Sequence, residues 1–198
     1  MPPYEQPESD VAFWVLFGLF ALGEYVMQAR SVRNWLRKRS GARAEGRSLL
    51  VVLAGVVGGL VGGIKLSAWQ PGQITDGTWP LFVLGLVLMA AGVFIRQWAI
   101  FVLGRFFTPD VRVQPGQTVI DRGPYRWVRH PSYTGMILVF VGIGLALTNW
   151  ASLAMLAVIP TAALVVRIHS EERALLAAMG EEYGRFAATR AHLLPGVW

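Results

Sequence analysis

The sequence predicts an all-α integral membrane protein with about five transmembrane helices, N-terminus outside, C-terminus cytoplasmic and the last two spans paired as a helical hairpin. Three observations carry that prediction. Hydrophobic residues make up 54 % of the 198-residue chain and charged ones only 15 %, against about 25 % charge in a soluble domain. The apolar residues fall in long blocks separated by turn chemistry. The basic residues gather in alternate connecting segments, the pattern of cytoplasmic loops.

Taken in order, residues 1–10 are polar, Pro-rich and acidic, and read as a frayed tail without the basic start of a signal peptide. Residues 11–102 hold three spans. The first runs from about Val11 to Gln28, with Glu24 near its inner end. An intramembrane carboxylate is a functional candidate, but pairing with a nearby cation such as Arg30 is the favoured reading. Residues 30–47 carry seven basic side chains against one acid, Glu45, and read as a cytoplasmic loop. Setting topology outweighs gripping anionic lipid as its role.

The second span covers roughly Ser48 to Ala68. Its Gly55, Gly58, Gly59, Gly62 and Gly63 allow close helix approach and leave room for a homodimer. The third runs from Leu81 to about Val102, with Arg96 and Gln97 in its inner third, either snorkelling or lining a polar pocket. Residues 103–198 form the proposed catalytic region. It opens on a turn-rich segment. Then come apolar runs Tyr133–Leu147 and Ala151–Val166, joined at Asn149-Trp150. Together they make a hairpin over 133–166, in which Pro160 is expected to kink the second helix. An amphipathic cytoplasmic helix follows from Arg167.

Composition also excludes. No cysteine means no disulfide and no thiolate chemistry. The net charge of +6 is explained by cytoplasmic loops, so nucleic acid is not expected as a partner. The three histidines lack metal-ligand spacing, and no Gly-rich nucleotide loop follows a strand. Arg outnumbers Lys 16 to 2, a GC-rich signature that points to a bacterial inner membrane.

The densest chemistry lies at 122–135, where three Arg, one His and three aromatics stand before an apolar run. Charge at a membrane edge is costly unless paired or bound. The blocks Gly123-x-Tyr125-x3-Arg129-His130-Pro131-x-Tyr133-x-Gly135 and Glu171-Glu172-x2-Leu175, with Gly180-Glu181-Glu182-Tyr183, resemble the isoprenylcysteine carboxyl methyltransferase family of integral membrane enzymes. The resemblance covers about residues 96–195. It implies S-adenosylmethionine as methyl donor and a lipid or prenylated acceptor. By the same resemblance, Tyr125, His130, Pro131, Ser132 and Tyr133 fall on donor-contacting positions, and Gln117, Thr118, Val119 and Ile120 do so by spacing. Glu171 matches a donor-binding acid and Arg167 a position that holds the acceptor carboxylate.

The residue chemistry agrees with that implication. Arg129 and His130 can donate to the donor's carboxylate, and Glu171 can pair with a cationic centre. Tyr125 and Tyr133 offer ring faces to a sulfonium. Arg167 and Glu171, four apart, share one helical face. Blander roles compete: headgroup binding for Arg129, an interfacial belt for Tyr133, solvated charges for Glu172 and Glu182, and no role for His192. Three other functions compete. An NADPH-dependent sterol reductase has a similar His-Pro-x-Tyr-x-Gly block but places an acid where this chain has Met136. A lipid-amine methyltransferase would need His130 or Glu171 as proton acceptor. A non-enzymatic protein would use the cluster only to grip lipid.

Overall fold

The computed structural model describes residues 7–37, 46–107 and 116–196, and among these every regular element is helical. The six α-helices are α1 (Pro7–Arg37), α2 (Gly46–Ser67), α3 (Thr78–Leu103), α4 (Pro131–Ala146), α5 (Trp150–Met179) and α6 (Glu181–Ala188). Three are long and apolar enough to cross a membrane, within Leu50–Ser67, Thr78–Leu103 and Trp150–Met179. The apolar stretches Val11–Val26 and Pro131–Ala146 are shorter. Trp14, Val57, Val87, Phe94, Phe101 and Val158 are all exposed. That much bare apolar surface suits lipid rather than water, and the molecule is a membrane protein.

Glycine decides which helices meet. On α3 and α4, Gly85 faces Gly142 and Gly92 faces Gly135. A Cβ on any of the four would lie 2.5–2.6 Å from the opposing glycine's carbonyl oxygen. Neither backbone can give way, so this seam requires bare Cα atoms on both sides. It makes α3 and α4 the most extensive helix pair. The glycines of α2 are used inside the chain as well: Gly55, Gly59, Gly62 and Gly63 meet Ala163, Pro160, Met155 and Leu156 of α5. The packing that left room for a homodimer is therefore largely intramolecular, with only Gly58 of the five facing open space. The core fills the centre of this bundle with Phe82, Met89, Val139, Phe140, Ile143, Leu156 and Leu164.

Several boundaries differ from the sequence reading. Residues 7–10, assigned to the tail, begin α1, and residues 30–37, assigned to the basic loop, extend it. No Gly or Pro interrupts residues 24–37, so nothing local stops the helix there. The rest of the tail (1–6) and of the loop (38–45) lie outside the described residues. Likewise α5 continues through Pro160 and past Val166, absorbing the predicted start of a separate C-terminal helix. The break comes at Gly180, whose φ of 55° an L side chain rarely adopts. The hairpin turn is held by Asn149. Its Oδ1 accepts from the backbone N–H of Ala151 and Ser152, capping α5, while its amide donates to Trp69 O at 3.0 Å.

Candidate active site

Residues 122–130 fold into a 3-10 turn (Gly123–Arg126), a turn at Trp127 and an isolated bridge from Val128 to Ala191, and lead to Pro131, the first residue of α4. Proline suits that position, since its fixed φ fits the helix and its missing N–H would have no partner there. This short crossing brings Tyr125, Arg129 and His130 against α5 and the segment after α6. Arg129 N–H donates to Ala191 O at 2.8 Å and His130 N–H to His192 O at 3.0 Å, and Thr134 Oγ1 donates to Leu193 O at 2.8 Å. Arg190 pairs with Asp121 at 3.1 Å beside them.

These segments enclose a cavity of about 420 Å³. Its polar end is lined by Tyr125, Arg129, His130, Ser132, Tyr133, Arg167 and Glu171, with Gln117, Thr118, Val119 and Ile120 along one edge. Every residue predicted from sequence for the site is therefore on this wall except Pro131, which is buried behind it as the start of α4. Glu171 is held by Tyr133, whose hydroxyl donates to Oε2 at 2.8 Å. His130 and Tyr133 stack at 5.7 Å between centroids. The Tyr125 phenol is pushed above its ordinary pKa, first by burial and then by Glu171, so it stays protonated. The cavity is also lined by apolar side chains, Phe17, Phe20 and Ala21 of α1 and Val52, Val56 and Leu60 of α2.

Two residues read as bland prove central. Glu172 is not a solvated charge: its side chain is 13 % exposed. It accepts from Arg129 Nη1 at 2.5 Å and from Tyr183 Oη at 2.9 Å, and lies 2.9 Å from His130 Nε2. Burial and the Glu172 charge raise the Tyr183 pKa, keeping that hydroxyl a donor. Nor is His192 incidental. Arg129 Nη2 lies 2.8 and 2.9 Å from its two ring nitrogens. Burial and the Arg129 cation lower the His192 pKa, favouring the neutral ring. Arg129 is thus committed to Glu172 and His192 rather than left to grip headgroups.

Glu24 and Arg96 also line the cavity. They pair with each other through Arg96 Nε and Nη2, the latter at 2.7 Å, while Nη1 donates to Ser132 Oγ at 2.7 Å. Glu24 thus pairs with Arg96, 72 residues away; the side chain of Arg30, the partner favoured from sequence, lies outside the described residues. Arg96 lines the pocket instead of snorkelling. Among the described residues no cluster of acids and histidines could hold a metal ion.

Comparison with known proteins converges on one kind of enzyme. The model of the isoprenylcysteine carboxyl methyltransferase (ICMT) family matches residues 83–177. Protein-S-isoprenylcysteine O-methyltransferase A of Arabidopsis thaliana is 32 % identical over 121 residues, 60 % of this chain and 61 % of the plant protein. Methanethiol S-methyltransferase of Mycobacterium tuberculosis is 29 % identical over 209 residues, 95 % of this chain and 79 % of that protein. Protein YpbQ of Bacillus subtilis, named as uncharacterized, is 26 % identical over 173 residues, 82 % of this chain and 96 % of its own length. A helical membrane bundle with these relatives is a methyltransferase. Within that class, residues 83–177, just under half of the chain, match the isoprenylcysteine carboxyl methyltransferase family.

Proposed function

We propose that this protein transfers a methyl group from S-adenosylmethionine to the carboxylate of a lipid-embedded, isoprenylcysteine-like acceptor at the cytoplasmic face of a bacterial inner membrane. One observation carries the reading: Arg167 and Glu171 share a cavity with His130 and Tyr133, and apolar side chains of α1 and α2 line the same cavity. That combination lets a soluble donor and a lipid-borne acceptor meet. In this reading all five apolar runs span, and the basic segments 30–47, 103–132 and 167–198 face the cytoplasm.

The donor set fits the proposed cofactor. Tyr125, Tyr133 and His130 supply ring faces, Ser132 a hydroxyl, Gln117 to Ile120 an edge, and Glu171 a carboxylate for a cationic centre. Arg129 contributes by fixing His130 through their shared partner Glu172. When bound, S-adenosylmethionine supplies an electrophilic methyl carbon on a sulfonium. The protein's work is then positional. Arg167 binds the acceptor carboxylate, which is ionised near neutral pH and needs no general base. Tyr133 holds Glu171 by its hydrogen bond. The apolar walls exclude water, which favours joining an anion to a sulfonium. Most of the acceleration comes from holding both partners in register.

The test is Arg167→Ala, with radiolabelled methyl transfer into a lipid extract and calorimetry with S-adenosylhomocysteine. Activity should fall about 100-fold, the scale of lost positioning, with donor affinity nearly unchanged; equal loss of both refutes the division of roles. Stabilisation by S-adenosylhomocysteine and not by NADPH is also expected. A second reading has a specific basis, since the resemblance to methanethiol S-methyltransferase runs through α1 and α2 as well. Methyl transfer to a small thiol, with none to carboxylates, would select it.

A further inference from the structure

We propose that Glu24 is a specificity-determining residue: its carboxylate masks the buried Arg96 guanidinium, so that an anionic acceptor finds Arg167 and not Arg96. Both arginines line the same cavity. Arg96 is 2 % exposed and lines the cavity together with apolar side chains of α1 and α2. A buried guanidinium in such a place is a strong carboxylate receptor, because its planar fork matches both oxygens at once. Glu24 engages it in that two-pronged way, Oε1 to Nε and Oε2 to Nη2. The side chain therefore occupies the position that a fatty-acid carboxylate would take. Without it, an ordinary membrane acid could bind head-first against Arg96, displaced from the acceptor position at Arg167.

Glu24 lies outside the matched stretch 83–177 and comes from α1, which packs chiefly on α3. A purely structural role, fastening α1 to α3, is the competing account. Gly23 supports a close approach there, since a Cβ on it would meet the Gln97 side chain at 2.4 Å. The two accounts differ in one measurable respect. A lost fastener weakens the bundle, whereas a lost mask creates an anion site.

The inference takes its meaning from the proposed methyl transfer, but its test needs no donor and no turnover. The full chain is placed in phosphatidylcholine nanodiscs, and binding of tritiated palmitate is compared with tritiated hexadecanol. Glu24→Gln should bind palmitate about tenfold tighter or more, as a freed charge-assisted site requires, with hexadecanol unchanged. Adding Arg96→Met to it should abolish the gain. Where Glu24→Gln does not give a monodisperse particle, Glu24→Asp is read instead; withdrawing the carboxylate by one methylene should give a several-fold gain. No gain in the folded variant, or an equal gain for the alcohol, overturns the proposal. A wild-type protein without methyl transfer but with the palmitate gain in Glu24→Gln would overturn only the proposed reaction.

Discussion

Glu172→Gln is the sharpest test of the polar end of the cavity. The substitution keeps the shape and removes the charge. In the native protein that carboxylate serves Arg129 at 2.5 Å, and His130 and Tyr183 at 2.9 Å each, at 13 % exposure. A glutamine oxygen can still accept from one or two of them, but the Arg129 cation loses its counter-charge. Hydrogen bonds to charged groups contribute about 1.5–3 kcal/mol each, and breaking a well-buried pair costs about 3–5 kcal/mol. Residual exposure and the surviving amide contacts place the expected loss near 3 kcal/mol. For a chain of this length each kcal/mol moves Tm by about 2–4 °C, so the melting point should fall by about 6–12 °C. Differential scanning fluorimetry in detergent reads this directly. The same variant should weaken S-adenosylhomocysteine, because Arg129 and His130 line the cavity. A Tm within about 2 °C of wild type, or unchanged ligand affinity, would refute the claim that Glu172 organises these residues.

Three other outcomes are expected. Gly135→Ala should destabilise by about 1–3 kcal/mol or more from overpacking, since its Cβ would meet Gly92 O at 2.6 Å and Arg96 N at 2.8 Å; Gly58→Ala, facing open space, is the control in the same thermal melts. Asn149→Ala should lower stability by about 1–2 kcal/mol through the lost α5 cap, and Asn149→Asp should retain the cap while losing the bond to the Trp69 carbonyl, again read by Tm. The third concerns pH. His192 has a lowered folded pKa, so the native state binds fewer protons there than the unfolded chain, and stability must fall as pH drops below the ordinary value of 6.5. His192→Gln should flatten that part of a stability–pH curve, and an unchanged slope would refute the assignment.

The second to fifth helices were legible because membrane helices announce themselves as uninterrupted apolar blocks with turn residues between. The polar lining of the cavity was legible too, because Tyr125, His130 and Tyr133 stand within nine residues of sequence. What remained hidden depended on distance along the chain. Glu172 meets Arg129 across 43 residues and His192 meets Arg129 across 63, so neither shows a partner in its own neighbourhood. Glu24 meets Arg96 across 72 residues, a pairing that no local stretch of sequence displays. The extension of α1 through residue 37 was missed because a run of cations reads as loop, although arginine is a good helix former.

The glycine seam between α3 and α4 has a mechanical consequence. Backbone pressed on backbone leaves no compressible side chains between the two rods, so they behave as one stiff beam. Arg96, His130 and Ser132 stand at one end of that beam. The first helix is tied to that beam by side chains instead, through the Glu24–Arg96 ion pair, Gly23 against Gln97 and Phe20 edge-on to Phe140. Any widening that admits a bulky lipid should therefore come from the first helix swinging outward, while the beam keeps its shape. Hydrogen exchange ought to find quick amides on one flank of the chamber and slow ones on the other.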